Sequence, residues 1–594
     1  MSGRIVRIGG ASGAWGDSVA GPIQLVRRAA VDYLSFDYLA EVTMSILARA
    51  WAKDPAAGWA TDFVDGAMRE IVGDVARRGI RVLSNAGGIN PRGCADALRR
   101  LAEEAGVTLR IAVVEGDDVR PWLEQHRDAV REMTTGAPLP SRVLSANAYL
   151  GALPIAAALD RGADVVITGR CVDSALPLAA LIHEFGWRAD DWDRLAAGSL
   201  VGHLLECGPQ GVGGLHTDWE RVERWDDIGY PIAECRADGS FVVTKPDGTG
   251  GLVEPATVAE QMLYEIGDPS AYVLPDVVCD FTQVTMAQDG PHRVGVGGVR
   301  GRPRTDRYKV SVTHQDGWRG VGALAVIGID AARKAERTAE ALLARARQRL
   351  EAAGLDGFRR THVEVLGAES IYGPHSRARP AREVSLRVVV EHREREAIEL
   401  FGREIGAAGI SWAPGTTGIA GRPKPTPIIR LFSCLIPKDA VPPTVTLDGT
   451  ARPVAVPTDG EAGVPAPLTR SDGGGEVVDD GVASMEVPLI RLAFARSGDK
   501  GDSANIGVIA REPRFVPILR RALTAARVAA YFAHLVKGEV ARYEVPGIGG
   551  FNFVLDQALG DGGMASPRID PLAKGFAQML LDLPIRVPRE LLAP

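Results

Sequence analysis

Along the first part of the chain, short apolar runs alternate with longer segments whose apolar positions recur at helical spacing. The runs 4–10, 32–37, 80–84, 108–114 and 164–168 read as buried strands, and 19–30, 40–51, 93–105, 146–161 and 175–185 as helices. Asp17 or Ser18 is expected to cap the first helix, and Gly106 to stop the one at 93–105. Strands without polar alternation, separated by amphipathic helices, predict an α/β fold with a mostly parallel sheet covered on both faces. Ligands of such sheets sit outside the carboxyl ends of the strands.

The rhythm then changes. Residues 199–283 are loop-rich around a short helix at 256–266 and read as a cover over the sheet. From 284 to 435, strands at 293–299, 308–313, 361–367, 384–391 and 428–433 surround helices at 331–353 and 393–408. That order predicts an α+β unit of ferredoxin-like type. A stretch rich in Pro, Gly and Asp follows, including DGGGEVVDDG, and reads as a linker. Strands near 488–495, 504–510 and 551–557, with helices at 515–536 and 570–582, form a last small α+β unit. The expected division is an α/β ligand-binding domain at 1–283, an α+β domain at 284–450, a linker at 451–486 and a final domain at 487–594.

A chain of 594 residues exceeds what one core supports, so several units are required. The net charge of −7 argues against a nucleic-acid face. No stretch has the length and apolarity of a membrane span or signal peptide, which gives the expectation of a cytoplasmic protein without a membrane partner. The six cysteines are dispersed without a CxxC pair and read as reduced thiols; no metal site is expected.

Several polar loops are candidates for chemistry. In Gly9–Ser18, glycine amides suit an anion, but Gly10, Gly13 and Gly16 miss the dinucleotide spacing and Asp17 would repel phosphate. A capped turn is an equal reading; Gly10, Ser12, Gly13, Gly16 and Asp17 are the candidates there. In 85–92, Asn85, Gly87, Gly88 and Asn90 offer donors to a carbonyl or phosphate, against a plain Asn/Gly/Pro turn. Arg170 suits an acid or phosphate, and Asp173 is a helix cap or a base. Glu206 suits a general acid or base if burial raises its pKa, whereas Cys207 reads as buried and inert. His203 and His216 are too few and too far apart for a metal signature. In 495–507, Arg496, Asp499, Lys500, Asp502 and Asn505 crowd one loop. Lys500 between the two aspartates argues against calcium and for an anion.

GASGAWGDS, FDYLAEVTMSIL, SNAGGINP, YPIAECRADGSFVVTKPDGTGG, EQMLYEIGDPSAYVLPDV and ARSGDKGDSANIGV resemble the acyclic terpene utilisation protein AtuA family over nearly the whole chain. The resemblance implies a large N-terminal region and a ferredoxin-fold C-terminal domain. It also implies a place in acyclic terpenoid or branched-chain acyl-CoA catabolism, without an established reaction or catalytic residues. Together with the loops it suggests a hydratase or lyase acting on an unsaturated acyl-CoA. Glu206 or Asp173 would be the base, and the Gly87 and Gly88 amides would receive the thioester oxyanion. A CoA thioester is the expected ligand, with no cofactor specified. Sheet edges suggest a homo-oligomer. The alternative is a non-catalytic protein that binds an acyl-CoA or partners an acyl-CoA carboxylase.

Overall fold

The computed structural model describes residues 3–461, 470–472 and 484–592. Five strands run parallel in the order Val6–Ser12, Tyr33–Phe36, Arg81–Ser84, Val165–Thr168, Ile111–Glu115. Nearly every residue in them is buried, because helices pack on both faces. The sheet then grows antiparallel. Ile232–Cys235, Phe241–Thr244, Val294–Gly297 and Thr285–Gln288 extend one side, and Thr444–Leu447 and Thr450–Pro453 the other. The expectation of a mostly parallel sheet therefore holds for its centre only. Short connections such as 236–240 cannot carry the crossover that a parallel neighbour requires, so the added strands run antiparallel.

Strand Arg307–Ile327, 21 residues long, begins the second sheet. Its first half pairs with Ser145–Ala148 and its second half with Glu383–His392, while Thr426–Pro437 runs along much of its length. The expected helix 146–161 is thus a strand followed by the helix Leu153–Asp160. Buried Ser145 bonds Thr313 across the pairing at 2.6 Å, a partner no local pattern announces. The chain order strand, helix Ala331–Ala352, strand Arg360–Leu366, strand Glu383–His392, helix Arg395–Glu404, strand Thr426–Pro437 is the ferredoxin-like one. The expected limits at 284 and 450 fall inside the large sheet, since strands 285–297 and 444–453 belong to it.

In the last unit, Ala493–Lys500, Ser503–Ala510, Gly550–Leu555 and Val540–Val545 form an antiparallel sheet in that spatial order. The stretch 495–507 is therefore a hairpin turning at Gly501 and Asp502, with Gly501 left-handed at φ +65°, and not a loop. The expected helix 515–536 divides into Val516–Ala522 and Ala525–Tyr531, the second capped by Thr524. Of the expected linker, 462–469 and 473–483 lie outside the described residues. Ser484–Pro488 pairs with Pro584–Pro588. No helix of the described residues is long and apolar enough to cross a membrane.

Helix Trp192–Leu205 lies where a loop was expected. It is buried on all sides from Leu195 to Leu205, so its sequence carries no amphipathic signal. Its end sets the use of two glycines. A Cβ on Gly10 would stand 2.5 Å from the Leu205 carbonyl oxygen, and one on Gly13 2.6 Å from the Cys207 carbonyl carbon. Gly10→Ala is expected to cost about 1–3 kcal/mol through overpacking against backbone that cannot rotate away. Urea denaturation with an unchanged m-value checks this; an unchanged midpoint would contradict it.

Candidate functional site

Four parallel strands end side by side, and the polar group just beyond their ends is termed the cleft. Asp37 follows Tyr33–Phe36, Asn85 follows Arg81–Ser84, Asp117 follows Ile111–Glu115, and Arg170 and Asp173 follow Val165–Thr168. This is where a parallel sheet places its ligand. Asn85, fully buried, donates to Asp37 Oδ1 at 2.6 Å and accepts from the Tyr38 amide at 2.8 Å. Asp117 accepts from the Arg170 amide at 2.8 Å and from Asn147 at 2.7 Å, which fixes the next loop. Burial pushes the Asp117 carboxyl up to about 6 against those hydrogen bonds.

Arg170 donates to Asp173 at 2.6 Å and lies 4.3 Å above the Tyr149 ring. Tyr149 in turn donates to Glu41, at the start of helix Glu41–Lys53. Burial opposes the charge on Glu41, but Lys309, Arg170 and the Tyr149 hydroxyl outweigh it and bring its pKa down to about 2. Lys309, on the long strand of the second sheet, stands 5.2 Å from the same ring centroid.

Opposite them, Asp37, Asp173 and Glu206 present carboxylate oxygens within 4.8 Å of one another. Their donor set and spacing could hold a divalent cation. Protons relieve the same repulsion. Burial, then the Asp173 charge, holds the Asp37 acidity far below its ordinary strength. Burial raises Glu206 as well, opposed by His203 and Lys500. His203 Nε2 faces the Met262 carbonyl at 3.1 Å, an acceptor only, so that nitrogen carries a proton. His203 Nδ1 lies 3.0 Å from Glu206 Oε1. Between them the two groups hold one further proton, either on the carboxyl or on the ring.

The C-terminal hairpin closes the cleft. Lys500 is reached by solvent yet surrounded by protein: burial disfavours its charge, but Tyr272, Glu265, Asp173 and Glu41 more than compensate and raise its pKa. Asp499, half-buried, is pushed up to about 7 by burial and Glu265, against Lys574 and Lys500. An unfolded aspartate titrates near 3.8, so Asp499 and Asp117 bind protons more tightly in the native state. Both lose stabilising effect as pH rises from that value through about 6 and 7. Asp499 also gains its negative charge beside Lys500 on passing pH 7. Anions are therefore expected to bind the cleft a few-fold more weakly at pH 8 than at pH 6, and Asp499→Asn to flatten that difference; titration calorimetry at both values decides.

Of the residues anticipated, Arg170, Asp173, Glu206, Asp499 and Lys500 converge here, with Asn85 behind Asp37. The others are engaged in holding the fold. Ser12 donates to the Asp37 carbonyl at 3.0 Å. Asp17 accepts from the Gly13 and Ser18 amides and from Tyr230, so it ties its own loop together rather than capping the helix. Gly16, at φ +94°, makes the turn between them. The Gly88 amide donates to Asn85 O and so is engaged within its own turn, and a Cβ on Gly87 would meet Thr168 O at 2.5 Å. Asn90 caps the helix Pro91–Glu104 through the Gly93 amide. Arg496 donates to the carbonyls of Gly214 and Leu215, and Asn505 to Leu263 O and Asn552, so both clamp the C-terminal sheet onto the N-terminal region. Asp502 accepts from the Asp561 and Gly562 amides. Burial, then Glu206 and Glu265, push the Cys207 thiol well above its usual range, which disfavours the thiolate.

Glu41, Tyr149, Lys309, Tyr272 and Glu265 were not anticipated. Glu41 and Asp37 share the strand-end segment FDYLAE, where a polar pair at a strand terminus was a usable signal. Lys309 lies near the start of the long strand Arg307–Ile327 and carried none.

Residues 6–447 match the model of the acyclic terpene utilisation family protein AtuA, and residues 487–586 that of the AtuA ferredoxin-like domain. No curated protein and no solved structure matches the chain.

Proposed function

We propose, since the chain belongs to the acyclic terpene utilisation AtuA family, that its cleft adds water to, or removes it from, an unsaturated acyl-CoA of branched or terpenoid catabolism. The observation that carries this reading is the trio Asp37, Asp173 and Glu206 within 4.8 Å, with Glu206 coupled to His203. Burial raises the proton affinity of Asp37 and Glu206, while Asp173 is ion-paired to Arg170. Such a difference between neighbouring carboxyls is what general acid–base catalysis uses.

In hydration, Asp173 takes a proton from water as the water oxygen bonds to the β carbon. Glu206 gives its proton to the α carbon as the double bond is lost. The proton gained by Asp173 then passes to Glu206 across their short separation, which restores both groups and leaves one water added. Dehydration is the reverse. Incubating the purified chain with a panel of α,β-unsaturated and β-hydroxy acyl-CoAs, and following a mass change of one water, tests the proposal. No turnover across the panel would overturn it.

A further inference from the structure

The acid–base reading leaves three cations of the cleft unexplained. Arg170, Lys309 and Lys500 come from three separate parts of the chain and line one space. Arg170 is 3% exposed, yet its Nε–H has no acceptor. The ammonium groups of Lys309 and Lys500 make no hydrogen bond or close ion pair among the described residues. Arg170 and Lys309 both stand over the Tyr149 ring, at 4.3 and 5.2 Å from its centroid. Burial lowers the Lys309 pKa, and although Glu41 resists, Lys500 and Arg170 lower it further.

Three acids stand near them: Glu41, held ionised by these cations, Asp173, which is paired with Arg170, and Glu265, which acts on Lys500 and lies 3.8 Å from Lys574. Glu41 is held by Tyr149, Asp173 by Arg170 and Glu265 by Lys574, so no close counter-ion is left for Lys309 or Lys500 among the described residues. A buried guanidinium N–H without an acceptor is costly, and cations left without a close partner are most simply answered by an anion from outside.

We propose that Arg170, Lys309 and Lys500 form a receptor for a carboxylate group of the substrate, so that the acyl chain handled here bears a free carboxylate besides its thioester. A monoanion adds the least negative charge beside Glu41, Asp173 and Glu265. A phosphate dianion would bring excess negative charge beside Glu41 and Asp173. The planar guanidinium edge of Arg170 also suits a carboxylate. This identification of the substrate class rests on the acid–base reading of the same site, but binding can be measured without turnover.

Titration calorimetry on the full chain, using straight-chain dicarboxylates from succinate to adipate, their diamides and inorganic pyrophosphate, tests the receptor. At least one dicarboxylate is expected to bind while its diamide does not. Lys309→Met and Lys500→Met should each weaken it roughly tenfold or more, in line with charged hydrogen bonds. Removing Arg170 endangers the fold, so the lysines are changed instead, with thermal melts confirming that the variants fold. Binding of the diamide as tightly as the acid, indifference to both lysine variants, or lysine-dependent binding of pyrophosphate alone would each overturn the proposal. Carboxylate binding without acyl-CoA turnover would leave the receptor standing and sink the hydration chemistry, and the converse result would do the opposite.

Discussion

Glu206→Gln is expected to lower turnover by about a hundred- to ten-thousandfold, the range for loss of a positioned acid or base. The fold should survive. The substituted amide would keep the side-chain shape and can donate to His203 Nδ1 across the 3.0 Å contact, because Nε2 already spends its proton on Met262 O. What the amide cannot do is release a proton to the substrate. The measured signature is therefore a fall in kcat with KM and the melting temperature little changed. A matching rise in KM, or a melting temperature several degrees lower, would show that Glu206 holds structure instead.

The largest stability effect is expected far from the cleft, at Glu391. This carboxylate is 1% exposed and accepts from Arg319 Nη2 at 2.6 Å and from Arg360 Nε at 2.9 Å. Both arginines also donate to the backbone of the C-terminal unit, Arg319 to Ala565 O and Ser566 O, and Arg360 to Ala565 O. Glu391→Gln leaves Arg319 facing a neutral amide without an anionic partner among the described residues, while Arg360 keeps Asp561 at 2.6 Å. Breaking a buried ion pair from one side costs about 3–5 kcal/mol, because the remaining charge is stranded. Here the loss should also loosen the seat of residues 560–569 on the second sheet. Urea denaturation should show the midpoint shift, and amide exchange should rise in that segment. A shift below about 1 kcal/mol would mean that water reaches the arginines easily.

The elements of the first sheet were legible because burial on both faces leaves an uninterrupted apolar run, as in Val165–Thr168, bounded by glycine and polar residues. The hairpin at 495–507 was not, because polar side chains of Ala493–Lys500 are buried against partners distant in sequence, Arg496 on the Gly214 and Leu215 carbonyls and Ser497 on the Ala573 carbonyl. A strand that buries polar groups against distant segments looks like a loop when only its own sequence is read. Helix Trp192–Leu205 failed for the opposite reason, being apolar on every side.

The site divides in the same way. Asp173 and Glu206 were visible as acids at the ends of apolar elements, and Lys500 as a cation in a crowded polar segment. Gly10, Gly13 and Gly87 looked like anion-binding glycines, yet each is needed where another backbone approaches too closely for a Cβ. Glycine's lack of a side chain serves both purposes, and sequence cannot tell them apart.

By itself, then, the sequence determined the family, the strand–helix alternation of the first sheet and the strand ends at which chemistry gathers. Local periodicity and chain-adjacent residues carry that information. Only the tertiary structure decided which acids crowd together and which cations face them. Glu41, Lys309 and Lys500 meet through the packing of three separate parts of the chain, and their charges are set by burial that no single segment encodes.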